Sequence, residues 1–248
     1  MCRGVIAFTL SVRFSVPPMS LSRYALYFTP RPDSDLARIG AAMLGYDCYT
    51  GTAVEQPILP GIAPDELRSG TAEPRRYGFH GTLKAPFTLS EGFSLDDLRK
   101  AVCGFAAEWP AFEVGTISPR RLGRFIALTP DAPSLDLSLF AAECVAAFDQ
   151  FRAPLSDKDR QRRAMHNLSP RQKALLERWG YPYVFDQLRF HMTLTGSLPE
   201  ERIGLWFECL NHHVGTQPLV IDALTLLEQA GPDAQFRVIA RYDLEGFR

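Results

Sequence analysis

Two five-residue segments carry the side chains from which proton-transfer chemistry at phosphorus can be built. They are Phe79-His80-Gly81-Thr82-Leu83 and Phe190-His191-Met192-Thr193-Leu194. Each sets a His and a Thr two residues apart, and on an extended chain such residues share a face. Unperturbed imidazole titrates at about pH 6.5, so a pair of rings can divide acid and base work around neutrality. A Thr hydroxyl beside each ring can donate to the non-bridging oxygens of a phosphate. Extended as strands, the polar faces read Arg76, Gly78, His80, Thr82, Lys84 and Gln187, Arg189, His191, Thr193, Thr195, while the opposite faces are nearly all apolar. The candidates are therefore His80, Thr82, His191 and Thr193 for catalysis, and Arg76, Lys84, Arg189 and Thr195 for substrate binding. The cations offset charge that gathers in a phosphorane-like transition state. One His takes a proton from the nucleophile and the other protonates the leaving oxygen, a scheme that calls for no metal and no cofactor.

Blander readings compete at each position. On this composition a given His meets the F-H-x-T-L pattern by chance roughly once in 2,000, so two matches among five His outweigh a surface or core role. His212 and His213 fall in the last turn of an expected helix, where imidazolium suits the helix dipole. His166 and the cations Lys158, Arg160, Arg162 and Arg163 belong to a charged, solvated stretch. Arg120, Arg121 and Arg124 form a local basic cluster at an expected turn, able to guide a phosphate-rich ligand. A metallohydrolase would need further ligands, yet there is no H-x-H, no H-E-x-x-H and no Asp or Glu on either motif face. A noncatalytic phosphate- or RNA-binding module is the third reading, because a fold alone does not establish activity.

The elements that must position these residues follow from periodicity and punctuation. A strand is expected at 22–28, then a helix capped by Asp33 with Leu36, Ile39 and Met43 on one face. A Pro- and Gly-rich loop spans 50–72. After the first motif strand, Ser94 with Asp97 marks a helix start, and that helix runs to about Trp109. Strands at 112–117 and 124–129 flank a loop at 118–123, and an amphipathic helix covers 134–151. Ser169-Pro170 opens another helix in the charged stretch 157–179. The second motif strand is followed by a helix from Glu200 that stops at Gly215, then by strands at 219–227 and 235–242. The two halves repeat: motif strand, helix, then 112–114 and 124–127 in the first copy, against 219–221 and 236–240 in the second. The stretch 152–186 reads as a helical insertion between the copies. Residues 1–18 read as a non-essential extension before an alternative start at Met19, leaving 19–248 as one bilobal domain.

Composition limits the partners. Of 248 residues 46% are hydrophobic, and 27 Lys and Arg balance 28 Asp and Glu, so no global field draws the chain to nucleic acid or membrane. The five scattered Cys include no C-x-x-C pair, which suits free thiols in the cytoplasm. No run of about 18 apolar residues is present to span a membrane. The paired His-x-Thr segments resemble the 2H phosphoesterase superfamily, which includes 2′-5′ RNA ligase-like proteins and cyclic phosphodiesterases. The longer segments RYALYFTP, RYGFHGTLKAPF and FHMTLTGSL resemble its DUF1045 branch, named for phosphonate metabolism, from about residue 22 to the end. The resemblance implies an α+β fold of two pseudo-twofold lobes, each an antiparallel sheet with helices on its outer face, and a V-shaped cleft between them. It matches His80, Thr82, His191 and Thr193 to the catalytic pairs. It implies a small cyclic phosphodiester as substrate, with an RNA end as the alternative and no obligate protein partner.

Overall fold

The aromatic run after Ser22 forms β1 (Arg23–Phe28), whose alternation divides two cores. Tyr24, Leu26 and Phe28 enter the main core, whereas Ala25 and Tyr27 enter a smaller cluster on the opposite face. The structure is a computed structural model that describes residues 22–157, 159–160 and 168–246. The expectations for residues 1–18, Lys158, Arg162, Arg163 and His166 lie outside the described residues.

Caps set the helix ends. Ser34, one residue past the expected Asp33, accepts from Ala37 N to start α1 (Asp35–Leu44), and Gly45 at φ 69° ends it. Then follow β2 (Tyr46–Asp47), β3 (Thr52–Ala53), α2 (Pro64–Gly70), α3 (Ala72–Arg75) and β4 (Gly81–Phe87), so helices occupy part of a stretch expected as loop. Ser94 and Asp97 form the reciprocal capping box of α4 (Leu95–Glu108). Strands β5 (Phe112–Leu122) and β6 (Phe125–Pro130) join tightly, which puts Arg120 and Arg121 on a strand rather than in the expected loop. Next come α5 (Leu135–Ala147) and α6 (Pro170–Trp179), the latter opened by Ser169 and Gln172 as a second capping box. The chain ends through β7 (Met192–Thr193), α7 (Glu200–Val214), β8 (Gln217–Ile221), β9 (Ala223–Gln229) and β10 (Arg237–Asp243). Among the described residues no helix is long and apolar enough to cross a membrane.

Eight strands form one curled antiparallel sheet in the order β10-β9-β1-β4-β7-β6-β5-β8. The two expected lobes are its four-strand halves, joined where Gly81 pairs with Met192. Strand pairing aligns the copies from an earlier starting point than spacing does. β6 flanks β7 as β1 flanks β4, so β6 corresponds to β1, in place of the expected match of 124–127 with 236–240. The first copy is then β1-α1-β4-α4-β5 and the second β6-α5-β7-α7-β8/β9. In this frame the stretch 152–186 has a counterpart in the first copy, the connection at 45–80. Each copy's closing strand lies in the other half of the sheet: β9 beside β1, and β5 beside β6.

Among the described residues, α4, α5 and α7 cover one face. α5 packs on β4, α4 on β9 and β10, and α7 on β5, enclosing Leu98, Val102, Phe140, Trp206 and Leu210 against Leu26, Ile126, Leu128, Met192 and Leu194. Each such side chain contributes roughly 1.5–3 kcal/mol on burial. The other face is covered unevenly. Over β9 and β1, Tyr46, Cys48 and Phe236 close on Ala25, Tyr27 and Leu227. Over β6 and β5, Thr129 and Ser118 stay half-buried and Arg120 exposed.

Candidate active site

The Gly81–Met192 pairing sets β4 and β7 side by side and antiparallel. Continued one residue each way, it places His80 opposite Thr193 and Thr82 opposite His191. Opposed residues point to the same face, with Cβ atoms about 4.5–5.5 Å apart and diagonal neighbours about 7–8 Å. All four side chains are half-buried and stand on the face away from the helices, the two His on one diagonal and the two Thr on the other.

Both imidazoles are held in the same way. His80 Nδ1 lies 2.8 Å from the Gly78 carbonyl oxygen and His191 Nδ1 2.6 Å from that of Arg189. A carbonyl only accepts, so in the neutral ring Nδ1 carries the proton and Nε2 is the basic atom left for a substrate. In the first motif Nε2 lies 3.2 Å from Thr82 Oγ1. The carbonyl that holds His80 comes from a turn only glycine fits: Gly78 has φ 74°, and a Cβ there would sit 2.6 Å from Cys48 Cβ.

The surroundings of the two rings differ. Tyr27 stacks on His80 with centroids 3.7 Å apart at 17°, and Tyr77 is tilted to it at 6.3 Å. Tyr27 pairs with Thr82 across β1–β4, whereas the matching partner of Thr193 across β6–β7 is Ala127. His191 instead has Phe125 at 5.7 Å, tilted by 54°. Burial pushes the His80 pKa down to about 4; the Gly78 carbonyl opposes the shift, and the like charge of His191 adds to it. The His80 ring is therefore uncharged at neutral pH.

The four expected substrate contacts fare differently. Lys84 does not share the His80 face. One step on β1, Leu26 to Tyr27, matches two on β4, Lys84 to Thr82, and this bulge at Leu83 interrupts the alternation. Lys84 turns under α5, 4% exposed, donating to the Val145 carbonyl at 2.9 Å and lying 3.4 Å from Asp149. Thr195 is also internal: its Oγ1 accepts from Ile126 N at 3.0 Å and donates to the Gly196 carbonyl at 2.9 Å. Arg76 precedes the strand, because β4 begins only at Gly81; its guanidinium is exposed and donates to the Pro232 carbonyl. Arg189 is exposed beside the motif, with its carbonyl holding His191.

Sequence reasoning missed Tyr27, whose only signal was an aromatic in the first strand. It also missed two rows that leave the motifs across β6 and β5. Continuing the pairings, Thr193 faces Ala127 and then Arg120, and His191 faces Thr129 and then Ser118. Two larger concavities, of about 510 and 370 Å³, are lined by neither motif His. Both motif His lie instead on the sheet face away from α4, α5 and α7.

A family described as "Protein of unknown function (DUF1045)" matches residues 82–237, which include both Thr of the motifs and His191. The chain belongs to the DUF1045 family. This DUF1045 chain is 42% identical over 224 residues to the ribose 1,5-bisphosphate phosphokinase PhnN of Janthinobacterium sp. (strain Marseille), covering 88% of this chain and 49% of that protein. It is 33% identical over 217 residues to the protein of the same name from Laribacter hongkongensis (strain HLHK9), covering 87% and 50%. The chain thus spans about half the length of the curated relatives it matches. Among solved structures, a phosphoesterase superposes with a TM-score of 0.43 and 13% identity over 90% of this chain and 98% of that one. E. coli LigT complexed with 3′-AMP superposes with a TM-score of 0.43 and 12% identity over the same shares.

Proposed function

We propose that this DUF1045 protein is a metal-independent phosphodiesterase that opens a small cyclic phosphodiester by two-histidine acid–base catalysis. The observation that carries the reading is the antiparallel pairing of the two H-x-T motifs, each ring held through Nδ1 so that Nε2 is its basic atom, which at His80 faces the Thr82 hydroxyl that a substrate would displace. A phosphate seated between the rings has an imidazole Nε2 on either side, one unprotonated to accept a proton and one protonated to give one, as in-line displacement requires. Thr82 and Thr193 then donate to its non-bridging oxygens. His80 takes a proton from the attacking water as the new P–O bond forms, and His191 gives a proton to the leaving oxygen as the old bond breaks. Both proton transfers are assigned to the His pair.

The names of the longer relatives suggest the substrate class. The relatives' name, ribose 1,5-bisphosphate phosphokinase, supports a cyclic phosphate of ribose, whose ring opening leaves a phosphate monoester on the sugar. An RNA 2′,3′-cyclic end offers the same bond to the same pair of rings. The test is turnover of a ribose cyclic phosphate, 2′,3′-cyclic AMP and a cyclic-ended oligonucleotide in EDTA, by the wild type, His80→Ala and His191→Ala. Each substitution is expected to lower kcat by roughly 10²–10⁴, with the sugar phosphate turned over at least as efficiently as the oligonucleotide. Near-normal turnover by the folded variants, or loss of activity in EDTA that zinc or manganese restores, overturns the mechanism. A clear preference for the RNA end overturns the substrate class.

A further inference from the structure

The uneven cover of the sheet decides in which direction a substrate extends from the motifs. On the β1 side His80 is walled by Tyr27 and Tyr77, with Phe236 stacked behind Tyr77 at 5.5 Å. On the β6 side, among the described residues, the same face leaves Arg120 exposed and Thr129 and Ser118 half-buried, and the two rows reach Ser118 and Arg120. Strands lie about 4.8 Å apart, so the Arg120 backbone sits two spacings, about 10 Å, from Thr193. Arg120 is the one member of its Arg cluster on this face. Arg121 reaches Glu200 at the start of α7, and Arg124 donates to the Leu198 carbonyl.

The guanidinium is also held in place. Arg120 Nη2 donates to Asp131 at 2.9 Å, and Asp131 accepts in turn from Thr116 at 2.7 Å and Ser118 at 3.0 Å. That contact engages one of five N–H donors, and the side chain remains 56% exposed. A fixed, exposed guanidinium beside hydroxyls suits a phosphate monoester, which it can grip through two parallel hydrogen bonds.

We propose that Arg120, with Thr129, forms a second anion subsite, and that the preferred substrate is a cyclic phosphodiester that also carries a phosphate monoester at the far end of its sugar. The inference rests on the phosphodiesterase reading and adds the second charge on the substrate. A pentose phosphorylated at both ends spans the distance from the His pair to the reach of Arg120. A ligand with only the cyclic phosphate leaves the shelf empty.

The experiment compares 2′,3′-cyclic AMP with the same nucleotide bearing a 5′-phosphate. The wild type is expected to prefer the phosphorylated substrate in kcat/KM, and Arg120→Ala to reduce that preference roughly 10–100-fold, the worth of a charge-assisted pair. Arg120→Lys should restore part of it. Calorimetry with ribose 5-phosphate, which has no cyclic ester, tests the subsite without turnover and should show binding weakened in Arg120→Ala. If neither nucleotide is cleaved but ribose 5-phosphate binds through Arg120, the phosphodiesterase reading fails and the subsite stands. A preference unchanged by Arg120→Ala, or ribose 5-phosphate binding equally to both proteins, overturns the subsite.

Discussion

Replacing Tyr27 by Ala would give His80 the neighbour that the second copy already has in Ala127. Burial holds the His80 pKa at about 4 against an ordinary 6.5, a displacement worth roughly 3 kcal/mol against the imidazolium. The titratable groups that face the ring are Tyr27 from β1, Tyr77 from the preceding turn and His191 from β7. The stacked Tyr27, 1% exposed, supplies the closest wall. Opening that wall to water should raise the His80 midpoint by about 1–2 units. At pH 5 a ring with a midpoint of 4 is about nine-tenths neutral, whereas one with a midpoint of 6 is about one-tenth neutral. Activity at pH 5, relative to its maximum, should therefore fall about twofold for a one-unit rise and about tenfold for a two-unit rise. Histidine proton NMR reads the midpoint directly, and the acid limb of kcat/KM should move with it. Large aromatic to Ala changes in a core cost about 3–5 kcal/mol, so Tyr27→Leu serves as a milder second variant with a smaller shift. Stability should follow the same group. The unfolded chain binds the extra proton between pH 6.5 and 4, so the wild type loses up to roughly 3 kcal/mol as pH falls through that window and Tyr27→Ala loses less. A wild-type His80 that titrates at 6.5, or a midpoint the same in all three proteins, would refute the reasoning.

Asp149→Ala should destabilise the fold by roughly 3–5 kcal/mol, because it leaves the Lys84 ammonium buried without its carboxylate; Lys84→Met should cost less, since Asp149 keeps Arg152 and Arg178, and paired thermal melts compare the two. Thr195→Val should cost about 1–3 kcal/mol by stranding the Ile126 N–H, with kcat/KM per folded molecule unchanged. A rise in KM without a change in Tm would return Thr195 to the substrate.

Much of this molecule could be read from its residues, and the exceptions share a physical cause. Capping chemistry is local, so Ser94 with Asp97 and Ser169 with Pro170 marked α4 and α6 without tertiary context. Period-two alternation likewise put His80 with Thr82 and His191 with Thr193. The same alternation failed at Lys84, because whether a strand bulges depends on the partner strand. It failed at Arg76 because the extended run was assumed to begin before the turn at Gly78. The strand exchange between halves was hidden for a similar reason, as spacing along the chain records order but not pairing. Tyr27 could not be singled out, since its importance arises only where β1 meets β4.

That exchange also sets a timetable for the nascent chain. Tyr24 in β1 pairs with Glu228 in β9, a separation of 204 residues. At synthesis rates of about 5–20 residues per second, β1 waits roughly 10–40 s on the ribosome for its outer neighbour. During that interval its edge is unpaired, and Phe236, which covers Tyr27 and Tyr77, has not been made. The first motif is thus translated early but enclosed last. A release of the chain before Ala223 would leave an aromatic strand edge open to other chains, and a His80 without the walls that set its charge.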